Sequence, residues 1–150
     1  MLRLSKMTDY GTVIMAQMAM RPDEIFSASE IAAAAGLAAT TASKILKTLA
    51  RHQLLRSVRG AKGGYMLARP PERISVAEII AAMEGAVAVT ECGIGPSRCA
   101  QEARCPSRNN WRRLNQMVSG MLGGVSLLDM AKPMPEAAPV QAPGTLKGAS

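Results

Sequence analysis

Apolar residues recur at helical spacing from the start of the chain. Tyr10, Val13, Ile14 and Met18, with Leu4 ahead of them, fall on one face, so residues 5–20 read as a first helix. Arg21-Pro22-Asp23 ends it and turns the chain. Ser27-Ala-Ser-Glu30 sets a hydroxyl and a carboxylate three residues apart, the pattern of a capping box. The Ile-Ala-Ala-Ala-Ala run behind it is a short helix, and Gly36 is placed to close it. Residues 39–52 then form a third helix that turns Ile45, Leu46, Leu49 and the following Leu54 inward. Thr40, Thr41, Ser43, Lys44 and Lys47 stand on its exposed side, near its N-terminal half. Leu55-Arg-Ser-Val58 and Tyr65-Met-Leu67 are short extended runs joined by a Gly-rich, basic turn, which predicts a β-hairpin. A second capping box, Ser75-Val-Ala-Glu78, opens a helix to about Met83, stopped by Gly85, with Val76, Ile79, Ile80 and Met83 turned inward.

The last strong pattern is a helix over 108–122. Trp111, Leu114, Met117, Val118 and Met121 form an apolar stripe along it. In so short a chain the stripe has little left to cover, which points to self-pairing across a two-fold axis, with packing onto its own domain as the alternative. Gly123-Gly124 breaks this helix, Val125 to Ala131 adds a last turn or two, and from Lys132 four prolines with Ala, Gly and Ser read as a disordered tail. A short helix, a Gly-containing turn, a basic helix and a hairpin make a winged helix-turn-helix. The expected fold is therefore mainly α with a small β wing and a long C-terminal dimerisation helix. Its parts are a DNA-binding unit over 1–84, a cysteine loop over 85–106, a dimerisation helix over 107–131 and a tail over 132–150.

Composition sharpens this picture in two places. Aromatics are 3% of the 150 residues while hydrophobic residues are 48%, so the core must be aliphatic, with 11 Met as adaptable filler. Charge is uneven. Residues 1–73 hold 11 Lys/Arg against 5 Asp/Glu, a net +6, whereas residues 74–150 hold 7 against 6. Lys44, Lys47, Arg51, Arg56, Arg59, Lys62 and Arg69 follow one another with no acid between Thr40 and Arg69. So one-sided a run favours a polyanion, here duplex DNA. The Gly-rich turn lacks the Lys-Ser/Thr of a nucleotide-binding loop, so no enzyme and no small-molecule substrate is expected. There is no apolar run of membrane-spanning length. Asp9 and Gln17 interrupt the first 20 residues and no small-residue cleavage site follows, so the expected location is cytoplasmic, away from membranes.

All three cysteines lie in Cys92-Gly-Ile-Gly-Pro-Ser-Arg-Cys99-Ala-Gln-Glu-Ala-Arg-Cys105-Pro106. Gly93, Gly95 and Pro96 let such a loop bend its thiols toward one point. Soft thiolates select iron–sulfur clusters, zinc or copper(I). Structural zinc sites usually pair cysteines at closer spacing, which argues somewhat against zinc. A redox-active thiol pair and unrelated buried thiols are the other readings, while the odd count disfavours a disulfide framework. Three thiolates also leave a tetrahedral or cubane site one ligand short. Asp9, Glu91, Glu102, His52, a water or a small thiol could complete it. Asp9 equally suits the dipole of its own helix, and His52 suits the surface.

The opening Met-Leu-Arg-Leu-Ser-Lys, the wing string Ser57-Val-Arg-Gly-Ala-Lys-Gly-Gly-Tyr65 and three cysteines ahead of a Trp111-containing helix resemble the IscR/NsrR type of winged-helix regulators over roughly residues 1–132. Thr8-Asp9-Tyr10 and Cys92-Gly-Ile-Gly look most like the branch that regulates the SUF iron–sulfur assembly operon. The resemblance implies a homodimeric transcription repressor in which a two-iron or four-iron cluster on Cys92, Cys99 and Cys105 controls binding to a DNA operator. IscR-type regulators carry a histidine three positions after the third cysteine; here that position is Arg108. In NsrR-type regulators a first-helix aspartate of the partner subunit supplies the fourth ligand, and its match here is Asp9. Family contacts to bases map onto Thr40, Ser43 and Lys44, and the wing arginine of the minor groove maps onto Arg59, with Thr41, Lys47 and Lys62 beside them. Ser43 and Lys44 replace the Glu and Gln of IscR, which bears on operator preference. Competing readings are a nitric-oxide or redox sensor of the same fold, a cluster carrier or electron-transfer protein without DNA binding, and a zinc-stabilised regulator.

Overall fold

The computed structural model describes residues 3–96 and 98–132. Its elements are α1 (Lys6–Ala19), α2 (Ala28–Ala35), α3 (Ala39–Arg51), β1 (Leu55–Val58), β2 (Gly64–Leu67), a 3-10 turn (Pro71–Arg73), α4 (Val76–Glu84), α5 (Glu91–Ile94), α6 (Arg108–Gly123) and α7 (Leu127–Ala131). This is the expected fold: mainly helical, with one two-stranded antiparallel wing. The tail expected beyond Lys132 lies outside the described residues. No helix among them is long and apolar enough to cross a membrane.

Local chemistry sets the helix starts. Ser27 Oγ accepts the Glu30 N–H at 3.2 Å, and Glu30 Oε2 accepts the Ser27 N–H at 2.7 Å. Ser75 and Glu78 repeat the arrangement at the head of α4, and Ser126 with Asp129 repeats it at α7. These hydrogen bonds hold the Glu30 and Asp129 carboxyls below the usual carboxylate range, the Ser27 and Ser126 backbone N–H being the largest cause in each. Gly36 takes φ 65°, the left-handed conformation that closes α2 ahead of α3.

The core is aliphatic. Ile14, Met15 and Met18 of α1, Ile45, Leu46 and Leu49 of α3, Ile79 of α4, and Leu54, Leu55, Ile74 and Leu127 are all fully buried. The inward face of α1 is the expected one at Ile14 and Met18, with Tyr10 packed against the core, and departs from it elsewhere. Leu4 and Val13 are exposed, while Thr8, Gly11 and Met15 face inward. The reason is close packing on α4: a Cβ at Gly11 would meet Met83 Sδ at 3.4 Å. Small residues set that face, and hydrophobicity does not weigh them.

The wing pairs Leu55 with Leu67 through Val58 with Gly64. Phe26 adds a further bridge, donating its N–H to Tyr65 O at 2.9 Å and accepting the Tyr65 N–H at 2.8 Å. Gly64 sits at φ 157°, and a side chain there would overlap the Phe26 carbonyl. The wing is thereby fastened to the segment that opens α2, so reading helix and wing share one frame.

The segment 107–131, expected as one dimerisation element, is divided. After Gly124 the chain returns to the winged helix. The Val76 N–H reaches Val125 O at 2.9 Å, the Leu127 N–H reaches Ile74 O at 2.7 Å, and Leu127 joins the core. Arg108–Gly123 rests on α4, with Val118 and Leu122 beside Ile80. We expect Leu127→Ala to cost about 3 kcal/mol in chemical denaturation, the scale for emptying a buried leucine site. A loss below about 1 kcal/mol would show that α7 is not part of the core.

Candidate nucleic-acid interface and cysteine segment

The N-terminal half of α3 presents Thr40, Lys44 and Lys47 to solvent, with Thr41 and Ser43 half-buried beside them. Ala39, Thr40, Ser43, Lys44 and Lys47 line one shallow groove. The α3 N-cap, Ala38, makes no side-chain hydrogen bond, and the first turn holds no acid. The amides at that end are left open, where phosphate oxygens bind well. In the wing, Arg59 and Lys62 are both exposed on the turn between β1 and β2. Among the described residues, ion pairs engage Arg21, Arg69, Arg108 and Arg112, and not Lys44, Lys47, Arg59 or Lys62. A helix and a hairpin tip therefore offer unpaired cations from one rigid unit. His52 caps the C-terminal end of α3 and is exposed, as expected of a surface residue.

The cysteine segment is built on α6, and in an unusual sense. Along α6, Arg108, Arg112, Asn115 and Ser119 face the segment. Glu102, with a side chain 12% exposed, accepts from Arg108 Nη2 at 2.5 Å and Arg112 Nη2 at 3.3 Å. Buried Asn115 accepts the Val89 N–H at 2.6 Å and donates to Thr90 Oγ1 at 3.0 Å. Thr90 Oγ1 lies 3.1 Å from Cys92 Sγ. Ser119 Oγ donates to Val87 O at 3.1 Å. A side chain at Gly93 would overlap Asn115, so glycine is required for that approach. A neighbouring face of α6 exposes apolar groups: Trp111 is 38% exposed, Leu114 45%, Met117 55% and Met121 73%. Val118 is half-buried.

Cys92 lies on the single turn of α5, Cys99 in the following bend and Cys105 just before α6. All three are half-buried and free of disulfides. Among the described residues no three His, Cys, Asp or Glu side chains converge as a metal-holding group. Asp9 is exposed on the first turn of α1, and Glu91 is exposed at the start of α5. Glu102 is engaged by two arginines, which argues against its candidacy as fourth ligand. Arg108 anchors the segment through it. The donor chemistry still suits a soft metal or cluster: three reachable thiols on one segment, tied to α6 near both of its ends.

Sequence reasoning passed over Arg112, Asn115 and Ser119, and weighed Glu102 only as a ligand. Their signal was present as a polar series at i, i+4, i+7 and i+11 from Arg108, but polar faces are ordinarily read as solvated.

A helix-turn-helix with a basic reading helix and a basic wing defines a DNA-binding transcriptional regulator. Residues 4–133 match the Rrf2 family, described as an iron-dependent transcriptional regulator. The chain belongs to the Rrf2 family. The HTH-type transcriptional regulator IscR of Xenorhabdus nematophila is 31% identical over 132 residues, 87% of this chain and 80% of that protein. The structure of CymR, the global cysteine regulator of B. subtilis, superposes with a TM-score of 0.68 at 28% identity, covering 87% of this chain and 97% of that one. T. potens IscR superposes with a TM-score of 0.64 at 28% identity, covering 86% of this chain and 85% of that one. These relatives are transcriptional regulators, not enzymes.

The clamp on the cysteine segment makes one expectation concrete. Asn115→Ala should leave the Val89 N–H without its partner and raise amide exchange at Val89 about tenfold, the scale of one hydrogen bond in a partly buried site. Unchanged exchange at Val89 would show that α6 does not hold the segment.

Proposed function

We propose that this chain is a cytoplasmic, homodimeric repressor whose operator binding is set by an iron–sulfur cluster, and that its targets are SUF-type iron–sulfur assembly genes. One observation carries the reading: the segment that bears the three free thiols is tied to one edge of α6, and the same helix exposes an apolar stripe on a neighbouring face. The description of the family as iron-dependent and the similarity to IscR support it.

Cys92, Cys99 and Cys105 would hold the cluster as thiolates, and the partner subunit's Asp9 would complete the set. When bound, the cluster supplies redox-active iron held through sulfur. Oxygen ligation by Asp9 leaves one position weaker than three thiolates. Trp111, Leu114, Met117, Val118 and Met121 pair α6 with its counterpart in the second subunit. Two α3 helices then face successive major grooves about 34 Å apart. Thr40, Thr41, Ser43, Lys44 and Lys47 meet base edges and phosphates there, while Arg59 and Lys62 of the wing follow the minor groove and backbone. A second reading, nitric-oxide sensing with the same ligands, is favoured by Arg108 standing where an IscR-type histidine would.

The test is anaerobic purification with absorption spectroscopy and iron and sulfide analysis. The wild-type protein should be coloured and contain both elements. Cys92→Ala, Cys99→Ala and Cys105→Ala should each hold little or none, and Asp9→Ala should load but lose its cluster faster in air. A colourless wild-type protein containing zinc would overturn the cluster reading. Wild-type air stability in Asp9→Ala would overturn the cross-subunit ligand.

A further inference from the structure

α1 begins differently from the helices that carry complete capping boxes. In α2, α4 and α7 the third residue of the helix is Glu or Asp, and its carboxylate takes the N–H of the serine N-cap. In α1 the N-cap is Ser5 and the third residue is Thr8, which has no carboxylate. Half of the box survives: Ser5 Oγ accepts the Thr8 N–H at 3.2 Å. The other half comes from elsewhere in the chain. Glu84 Oε1 accepts the Ser5 N–H at 2.6 Å and the Thr8 hydroxyl at 2.6 Å.

Glu84 is the last residue of α4, and a carboxylate is unfavourable at the C-terminal end of its own helix dipole. At the positive end of α1 the same charge is favourable. Thr8 is fully buried, and its hydroxyl is satisfied by Glu84 Oε1 at 2.6 Å, with Ser5 Oγ 3.1 Å away as its second neighbour. One helical turn further on, Gly11 lets α1 approach Met83 of α4. Immediately after Glu84 comes Gly85 at φ 93°, where the chain leaves α4 for the cysteine segment. Four residues beyond that, Asn115 holds Val89.

We infer that Glu84 is a positioning residue: it completes the cap of α1 from α4, and so ties the turn that bears Asp9 to the Gly85 hinge through which the cysteine segment enters. The two ends then loosen together. A change in the cysteine segment is felt at the first turn of α1, and a change at that turn is felt at the hinge. The consequence for cluster sensing rests on the function proposed above; the coupling itself does not.

The experiment is amide hydrogen exchange on the full-length, cluster-free protein, comparing wild type, Thr8→Val, Thr8→Ser and Glu84→Gln. Thr8→Val keeps the shape and removes the hydroxyl, whereas Thr8→Ser keeps the hydroxyl. Exchange at Gly85 and Val89, far from residue 8 in sequence, should rise about tenfold in Thr8→Val, the scale for losing a hydrogen bond to a charged group, and by a smaller factor in Glu84→Gln, whose amide oxygen still accepts but carries no charge. Thr8→Ser should stay near wild type at those amides. Ile45, Leu46 and Leu49 of α3 serve as the folded reference and should be unmoved. Faster exchange confined to Thr8 and Asp9, with Gly85 and Val89 unchanged, would overturn the proposal and leave Glu84 as a local cap. Because no cluster is present, that failure is separate from a failure of the ligand reading, which Asp9→Ala air stability tests on loaded protein.

Discussion

The arrangement depends on a helix that turns its polar edge inward. Glu102 is taken up by Arg108 and Arg112, and Asn115 satisfies a backbone N–H of the linker while donating to Thr90. A carboxylate this little exposed is tolerable only when paired, and the two guanidiniums supply that pairing. With its polar edge committed to the cysteine segment, α6 must leave Trp111, Leu114, Met117 and Met121 facing outward. A contiguous apolar stripe of that kind is the usual mark of an interface. Holding the segment and exposing an apolar stripe are thus two faces of one helix.

The reading unit is rigid for a different reason. α3 packs on a largely aliphatic core, and the wing is fastened to the head of α2 by the Phe26–Tyr65 bridge. α7 closes the same core from the other end of the chain through Leu127. Segment and reading unit therefore meet through α6 returning into α7, through α6 packing on α4 and through the α4 end at Glu84. Movement of the cysteine segment has short routes to the frame that positions α3.

What could be read from the chain was mostly local. The capping boxes at Ser27 and Ser75 depend on residues three apart, and the wing on a Gly-rich turn between two extended runs, so each announced itself. The basic run in α3 and the wing was equally plain. Less legible were contacts spanning the chain. The Thr8–Glu84 bond joins residues 76 apart, and nothing in either neighbourhood signals it. The inward face of α1 was partly misjudged because Gly11 and Thr8 pack where an apolar count favours Val13. On α6 the apolar stripe was read, but the polar stripe beside it, which holds the segment, went unread. The convergence of Cys92, Cys99 and Cys105 also lies beyond local pattern, and among the described residues the thiols share a segment without meeting at one point.

The central claim is that the state of the cysteine segment governs how α3 and the wing engage DNA. It is tested most directly by titrating a duplex promoter fragment from a SUF-type operon with cluster-loaded and cluster-free protein under anaerobic conditions, at matched salt, by fluorescence anisotropy. The account expects affinities that differ by about tenfold or more, within the usual range of coupling between two sites, with that difference abolished in Cys92→Ala. Equal affinities for a fully loaded and a fully cluster-free wild-type protein would contradict it.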